Sequence, residues 1–89
     1  MRALITGGAG FIGSHVADHL LERGNKVVIL DDLSTGRLAN IEHIQDRPDV
    51  EFVQGSILNA DLVEDVTARV DVVYHLAAAV GVELIVAKP

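Results

Sequence analysis

Thr6-Gly7-Gly8-Ala9-Gly10-Phe11-Ile12-Gly13 is the stretch on which the reading of this chain turns. It follows the short apolar run Ala3-Leu4-Ile5, and beyond it Ile12, Val16, Leu20 and Leu21 recur at helical spacing. A buried strand, a glycine turn and a helix over residues 11–23 are therefore predicted in that order, with Gly24-Asn25 as the stop signal. Val27-Val28-Ile29-Leu30 is a continuous, largely β-branched run, the pattern of a strand covered on both faces, and Asp31-Asp32 ends it.

Gly7, Gly10 and Gly13 stand at Gly-x-x-Gly-x-x-Gly spacing between a strand and a helix, and Asp31 follows 18 residues after Gly13 at the end of the next strand. This layout is that of a dinucleotide-binding βαβ unit. Gly7 permits the tight turn, Gly10 leaves out the Cβ that would block a pyrophosphate, and Gly13 lets the helix pack against the sheet. The helix start offers free N–H groups and the positive end of its dipole to the phosphates. Asp31 is placed to accept hydrogen bonds from the 2′ and 3′ hydroxyls of an adenosine ribose and to repel a 2′-phosphate, so the expected cofactor is NAD rather than NADP. The plainer alternative is that the glycines only shape a turn and that Asp31 and Asp32 only end a strand. For Asp32 taken singly, a solvated turn is an equal reading.

Residues 33–49 are polar, punctuated by Gly36 and Pro48, with a short helix expected around residues 38–45. Glu51-Phe52-Val53 reads as a third strand closed by Gly55, residues 61–68 as a helix, and residues 70–76 as containing a fourth strand. The order β-α-β-(α)-β-α-β implies a parallel sheet with right-handed crossovers. The expected fold is α/β: a Rossmann-type parallel sheet, half of a doubly wound fold, with strand order 3-2-1-4 and flanking helices. Residues 1–89 form a single NAD-binding half-domain in this reading.

Hydrophobic residues make up 49% of the chain and charged ones 22%, which argues against disorder. Thirteen acids against seven bases give a net charge of −6 without a basic cluster, so nucleic acid is not expected as a partner. The absence of cysteine removes disulfides and thiolate metal sites and fits a reducing compartment. No signal-peptide layout precedes the first strand. The longest apolar stretch, residues 76–87, is interrupted by Glu83 and falls short of the roughly 20 residues a membrane span needs. A soluble, cytoplasmic chain is expected. His15 and His19, four apart, lack the Glu of a zincin motif and further convergent ligands, and the acidic stretch Glu42, Asp46, Asp49 and Glu51 reads as solvated loop, so no metal is expected. His75 reads as a packed residue rather than a general base.

Three segments taken together carry a resemblance: Thr6-Gly7-Gly8-Ala9-Gly10-Phe11-Ile12-Gly13-Ser14-His15, then Asp31-Asp32-Leu33-Ser34-Thr35-Gly36, then Tyr74-His75-Leu76-Ala77-Ala78. In order and spacing they resemble the extended short-chain dehydrogenases that epimerise or dehydrate nucleotide sugars, such as UDP-glucose 4-epimerase. The resemblance implies that Phe11 and Ile12 lie against the cofactor pyrophosphate through their backbone. It also implies that Asp31, Asp32, Ser34, Thr35 and Gly36 surround the ribose, and that Leu76, Ala77 and Ala78 run beneath the cofactor. After the third strand the family carries Gly-Asp-hydrophobic, with the Asp on the adenine amino group, where this chain has Gly55-Ser56-Ile57. Ser56 can hydrogen-bond there without charge.

The family's chemistry uses a Tyr-x-x-x-Lys pair, and the single tyrosine here, Tyr74, has Ala78 four places on. No catalytic residue is therefore assigned, and the nucleotide sugar is expected only as a partner of a full-length parent. A noncatalytic module that holds a nucleotide or a protein on the same half-fold is the alternative, and self-association through an exposed edge of the fourth strand is a third reading.

Overall fold

A computed structural model describes residues 1–77 and 83–86. It contains β1 (Arg2–Thr6), α1 (Phe11–Glu22), β2 (Lys26–Asp31), a 3₁₀ turn (Leu38–Asn40), β3 (Val50–Gln54), α2 (Ala60–Ala68), β4 (Val72–His75) and β5 (Glu83–Val86). Four strands form a parallel sheet in the order β3-β2-β1-β4, as the alternating pattern predicts. Thr6 pairs with Leu30 on one side and His75 on the other, so the C-terminal ends of β1, β2 and β4 stand level. That is where a doubly wound sheet opens its crevice.

Alternation along the central strands separates two cores. Ala3, Ile5, Val27, Ile29 and Val72 face α1, with Ala17, Leu20 and Leu21 packed on them. Leu4, Val28, Leu30 and Val73 face the other way, onto Val66 of α2 and Val70. The runs read as continuous in sequence because both faces are covered. Gly24, at φ +82°, follows the Arg23 cap of α1 in the left-handed conformation that ends many helices.

Two expectations need correction. The helix expected around residues 38–45 is a 3₁₀ turn followed by further turns, with N–H groups of Ile41, Ile44 and Arg47 donating three residues back. Ile41 and Ile44, three apart, are both buried on the same side of this segment. The outer edge of β4 is not free: β5 runs antiparallel along it, with Val72 opposite Val86 and His75 opposite Glu83. The backbone row offered above for self-association is thereby already paired.

Candidate functional site

The site is built where the glycine turn leaves β1. Gly7 adopts φ +73°, and a Cβ on it would stand 2.9 Å from the Ala77 nitrogen, so only glycine lets the β4 exit pass this close. A Cβ on Gly10 would meet nothing nearer than Gly7 O at 3.2 Å, which leaves its outer side open for a ligand. Gly13 acts differently from the expectation. Its Cβ would collide with Gly7 O and lie 2.8 Å from Gly8 Cα, so this glycine seats the helix on the turn rather than on the sheet. Gly8, which the spacing rule passes over, is equally constrained, with Ile29 Cγ2 2.6 Å from a built Cβ.

Helix α1 starts at the Gly10 cap with no side-chain acceptor and no acid in its first turn. Ser14 N donates to Gly10 O, so the N–H groups between them have no intrahelical acceptor. Phe11 and Ile12 have exposed side chains on an apolar hollow with His15, Val16, His19, Leu20 and Tyr74, away from the ribose side. Only their backbone belongs to the turn. The His15 Nδ1–H donates to Phe11 O, and His19 Nε2 accepts from Arg23, so both imidazoles are engaged within α1.

Asp31 closes β2 and is 7% exposed. Its Oδ2 accepts the Ala9 N–H at 3.0 Å and its Oδ1 the Leu33 N–H at 2.7 Å. A carboxylate has about four acceptor directions, so two remain for ligand hydroxyls. Asp32, exposed, instead caps its own turn by accepting from Ser34 N at 2.9 Å. That backbone N–H first, and the Ser34 hydroxyl second, hold its carboxyl below the ordinary range. Asp32 thus shapes its own turn and, like Asp31, also borders the adjoining cleft. Between these acids and Ser34, Leu33 sits at φ +64°, a conformation uncommon for a bulky side chain and one that gathers at ligand loops.

A cleft of about 250 Å³ is lined by Gly7, Leu30, Asp31, Asp32, Ser34, Thr35, Gly55, Ile57, Leu76 and Ala77. Most sequence-derived candidates thus converge on one wall-to-wall space at the sheet's C-terminal end. Gly36 lies behind it, where a Cβ would stand 2.6 Å from Asp31 Oδ2 and 3.0 Å from Ala9 C. Ser56 accepts from Leu58 N at 3.0 Å, which shapes the turn into α2 and leaves its O–H and one lone pair for a ligand. Ala78 lies outside the described residues.

The floor of the cleft is pinned by Thr6, whose hydroxyl oxygen accepts from Leu76 N at 3.0 Å and Ala77 N at 3.3 Å. Its one proton must then go to His75 Nδ1, 2.8 Å away, which fixes the imidazole as the Nε2–H tautomer. Sequence spacing had no means of pairing Thr6 with His75, because they meet only through the β1–β4 register.

The fit to an NAD-like molecule is good on these observations: a buried acid with free acceptor directions lines the cleft together with Gly7, and the open Gly10 and the uncapped start of α1 follow Gly7 along the same turn. Comparison with known proteins adds the following. The model of the GDP-mannose 4,6 dehydratase family matches residues 4–89. The UDP-glucose 4-epimerase of Mycolicibacterium smegmatis is 44% identical, covering 100% of this chain and 29% of that protein. Among solved structures, the dTDP-glucose 4,6-dehydratase of Bacillus anthracis in complex with NAD superposes with a TM-score of 0.80 at 40% identity, over 85% of this chain and 26% of that one. The UDP-glucose 4-epimerase of Thermotoga maritima with UDP-glucose gives 0.74 at 41% identity, over 85% and 24%. The chain spans less than a third of the length of the curated relatives it matches.

Proposed function

Since the chain belongs to the GDP-mannose 4,6-dehydratase family, we propose that it is the NAD-binding portion of a nucleotide-sugar epimerase or dehydratase, and that alone it binds NAD without catalysing. The observation that carries this reading is Asp31: buried at the end of β2, held by two backbone N–H groups, and facing the cleft with acceptor capacity left over. Backbone N–H groups at the start of α1 would take the pyrophosphate, with Gly10 leaving room. Asp31 would take the ribose hydroxyls, Ile57 and Gly55 would flank the adenine side, and Leu76 and Ala77 would lie beneath the cofactor.

NAD, when bound, supplies a hydride acceptor at its nicotinamide ring. Proton transfer to or from a sugar needs a positioned acid or base. Tyr74, inside β4, has Ala78 where the family pattern has lysine, so these residues supply binding and orientation. A cytoplasmic setting agrees with the absence of cysteine.

Titration calorimetry of the chain with NAD and NADP tests the reading. NAD should bind at least about tenfold more tightly, a difference of about 1.4 kcal/mol, because a fixed carboxylate rejects a 2′-phosphate. Equal affinities would overturn the role of Asp31. The purified chain should turn over no UDP-glucose with NAD in excess, and turnover abolished by Tyr74→Phe would overturn the noncatalytic assignment.

A further inference from the structure

A turn in which Gly7, Gly8 and Gly10 carry no side chain has more backbone freedom than any other four-residue stretch here, and ligand affinity is lost if that freedom must be frozen on binding. Something must hold it beforehand. Gly10 N donates to Gly7 O at 3.0 Å, which closes the turn on itself. Gly7 N donates to Leu30 O at 2.8 Å, which anchors the start of the turn to β2, and its middle is restrained through Ala9, fully buried between Gly8 and Gly10. Its N–H is taken by Asp31, while its carbonyl oxygen accepts two hydrogen bonds, from Arg37 N at 3.0 Å and from Asn40 Nδ2 at 2.7 Å. The second comes from a side chain 31 residues away in sequence. Since only the NH₂ end of an amide can meet a carbonyl, the orientation of Asn40 is fixed.

We propose that Asn40 is a positioning residue that holds the glycine turn in its ligand-binding form. It does not line the cleft. It acts through Ala9, and with Arg37 N it ties the 3₁₀ segment and the loop behind Gly36 to the turn, so that the phosphate-side and ribose-side walls form one unit. Close approach at Gly36 to both Asp31 and Ala9 is the other half of the same clamp. As a statement about cofactor affinity the proposal rests on the NAD reading above; as a statement about the turn it does not.

The test uses the full chain with Asn40→Asp, Asn40→Ala and Asn40→His, reading NAD affinity and amide hydrogen exchange at residues 8–10 in the free protein. Asp is nearly isosteric but turns the donor into an acceptor facing Ala9 O. The NAD Kd should rise at least tenfold and exchange at least tenfold for Asn40→Asp, with a smaller effect for Asn40→Ala. Asn40→His, whose Nδ1–H stands where the amide NH₂ does, should recover most of both. A space-filling role gives the opposite order, with Ala worse than Asp, and would overturn the proposal. So would unchanged exchange, or faster exchange with an unchanged Kd. If the unsubstituted chain fails to bind NAD, the proposed function falls, and the exchange data alone then decide whether Asn40 holds the turn.

Discussion

Thr6 ends β1 with a hydroxyl that serves two acceptor contacts and one donor contact at once, and it is 3% exposed. Thr6→Val keeps the shape and removes all three. Leu76 N retains the Thr6 carbonyl at 3.1 Å, but Ala77 N and His75 Nδ1 lose the hydroxyl. Both are half-buried, so water can make good part of a loss that costs about 1–3 kcal/mol for buried groups, and urea unfolding should show a loss of about 1 kcal/mol. Nitrogen spectra of His75 in the unsubstituted chain should show Nε2 protonated and Nδ1 bare; the reverse would contradict the assignment of the Thr6 proton. Asp31 is tested by Asp31→Asn. An amide oxygen can take over one of the two N–H groups, while its NH₂ confronts the other, so both stability and NAD affinity should fall. The affinity loss should be at least about 1.5 kcal/mol, as for hydrogen bonds to a charged group, and an unchanged Kd would remove Asp31 from the ribose site.

Helix α2 shows how local chemistry sets an element's start. Asn59 caps it by accepting from Leu62 N at 3.2 Å, and Asp61 sits in the first turn, where the dipole favours an acid. Asn59→Ala should lower the unfolding free energy by about 1 kcal/mol, with the mid-transition shifted and the denaturant slope unchanged; no shift would mean that the cap contributes nothing. This helix and all four parallel strands were legible in the sequence because their signals are local: apolar period, β-branched runs, and glycine or asparagine at the ends. The 3₁₀ segment was legible only as something short and helical. Ile41 and Ile44 fit three- and four-residue periods equally well, and the choice between them is made by packing against the α1 side of the sheet. The site divides in the same way. Gly7, Gly10, Gly13 and Asp31 follow from spacing along one βαβ unit, whereas Gly8 against Ile29, Thr6 against His75 and Asn40 against Ala9 are contacts made in three dimensions. The left-handed Leu33 carries no sequence signal at all, since its backbone is set by Asp31 accepting its N–H.

On the scale of the whole molecule, two helical layers cover opposite faces of one sheet, and an ion pair joins one layer to the sheet's edge. Arg69, the C-cap of α2, donates to both oxygens of Glu51 on β3, at 2.9 and 3.3 Å, and lies 3.6 Å from Asp65. Those hydrogen bonds hold the Glu51 carboxyl below its ordinary value. Arg47 does the same to Asp49, and Ser34 to Asp32. A carboxyl whose pKa is lower folded than unfolded adds stability that is complete above the unfolded value and is lost as pH falls through the folded one. Ordinary carboxylate values lie near 4, so stability should hold level down to about pH 5 and decline below about pH 4. Net charge does not set that onset, because the sequence pI is about 4.9 and self-repulsion is smallest there. Glu51 is half exposed, so its pair contributes no more than about 1 kcal/mol at neutral pH. Glu51→Gln should therefore cost little at pH 7, yet flatten the acid limb, because the fraction of a proton that Glu51 takes up on unfolding between about pH 5 and 3 is removed. Urea midpoints measured across that range decide the matter: an acid slope identical in both proteins would show that the Arg69 bridge does not couple α2 to the sheet.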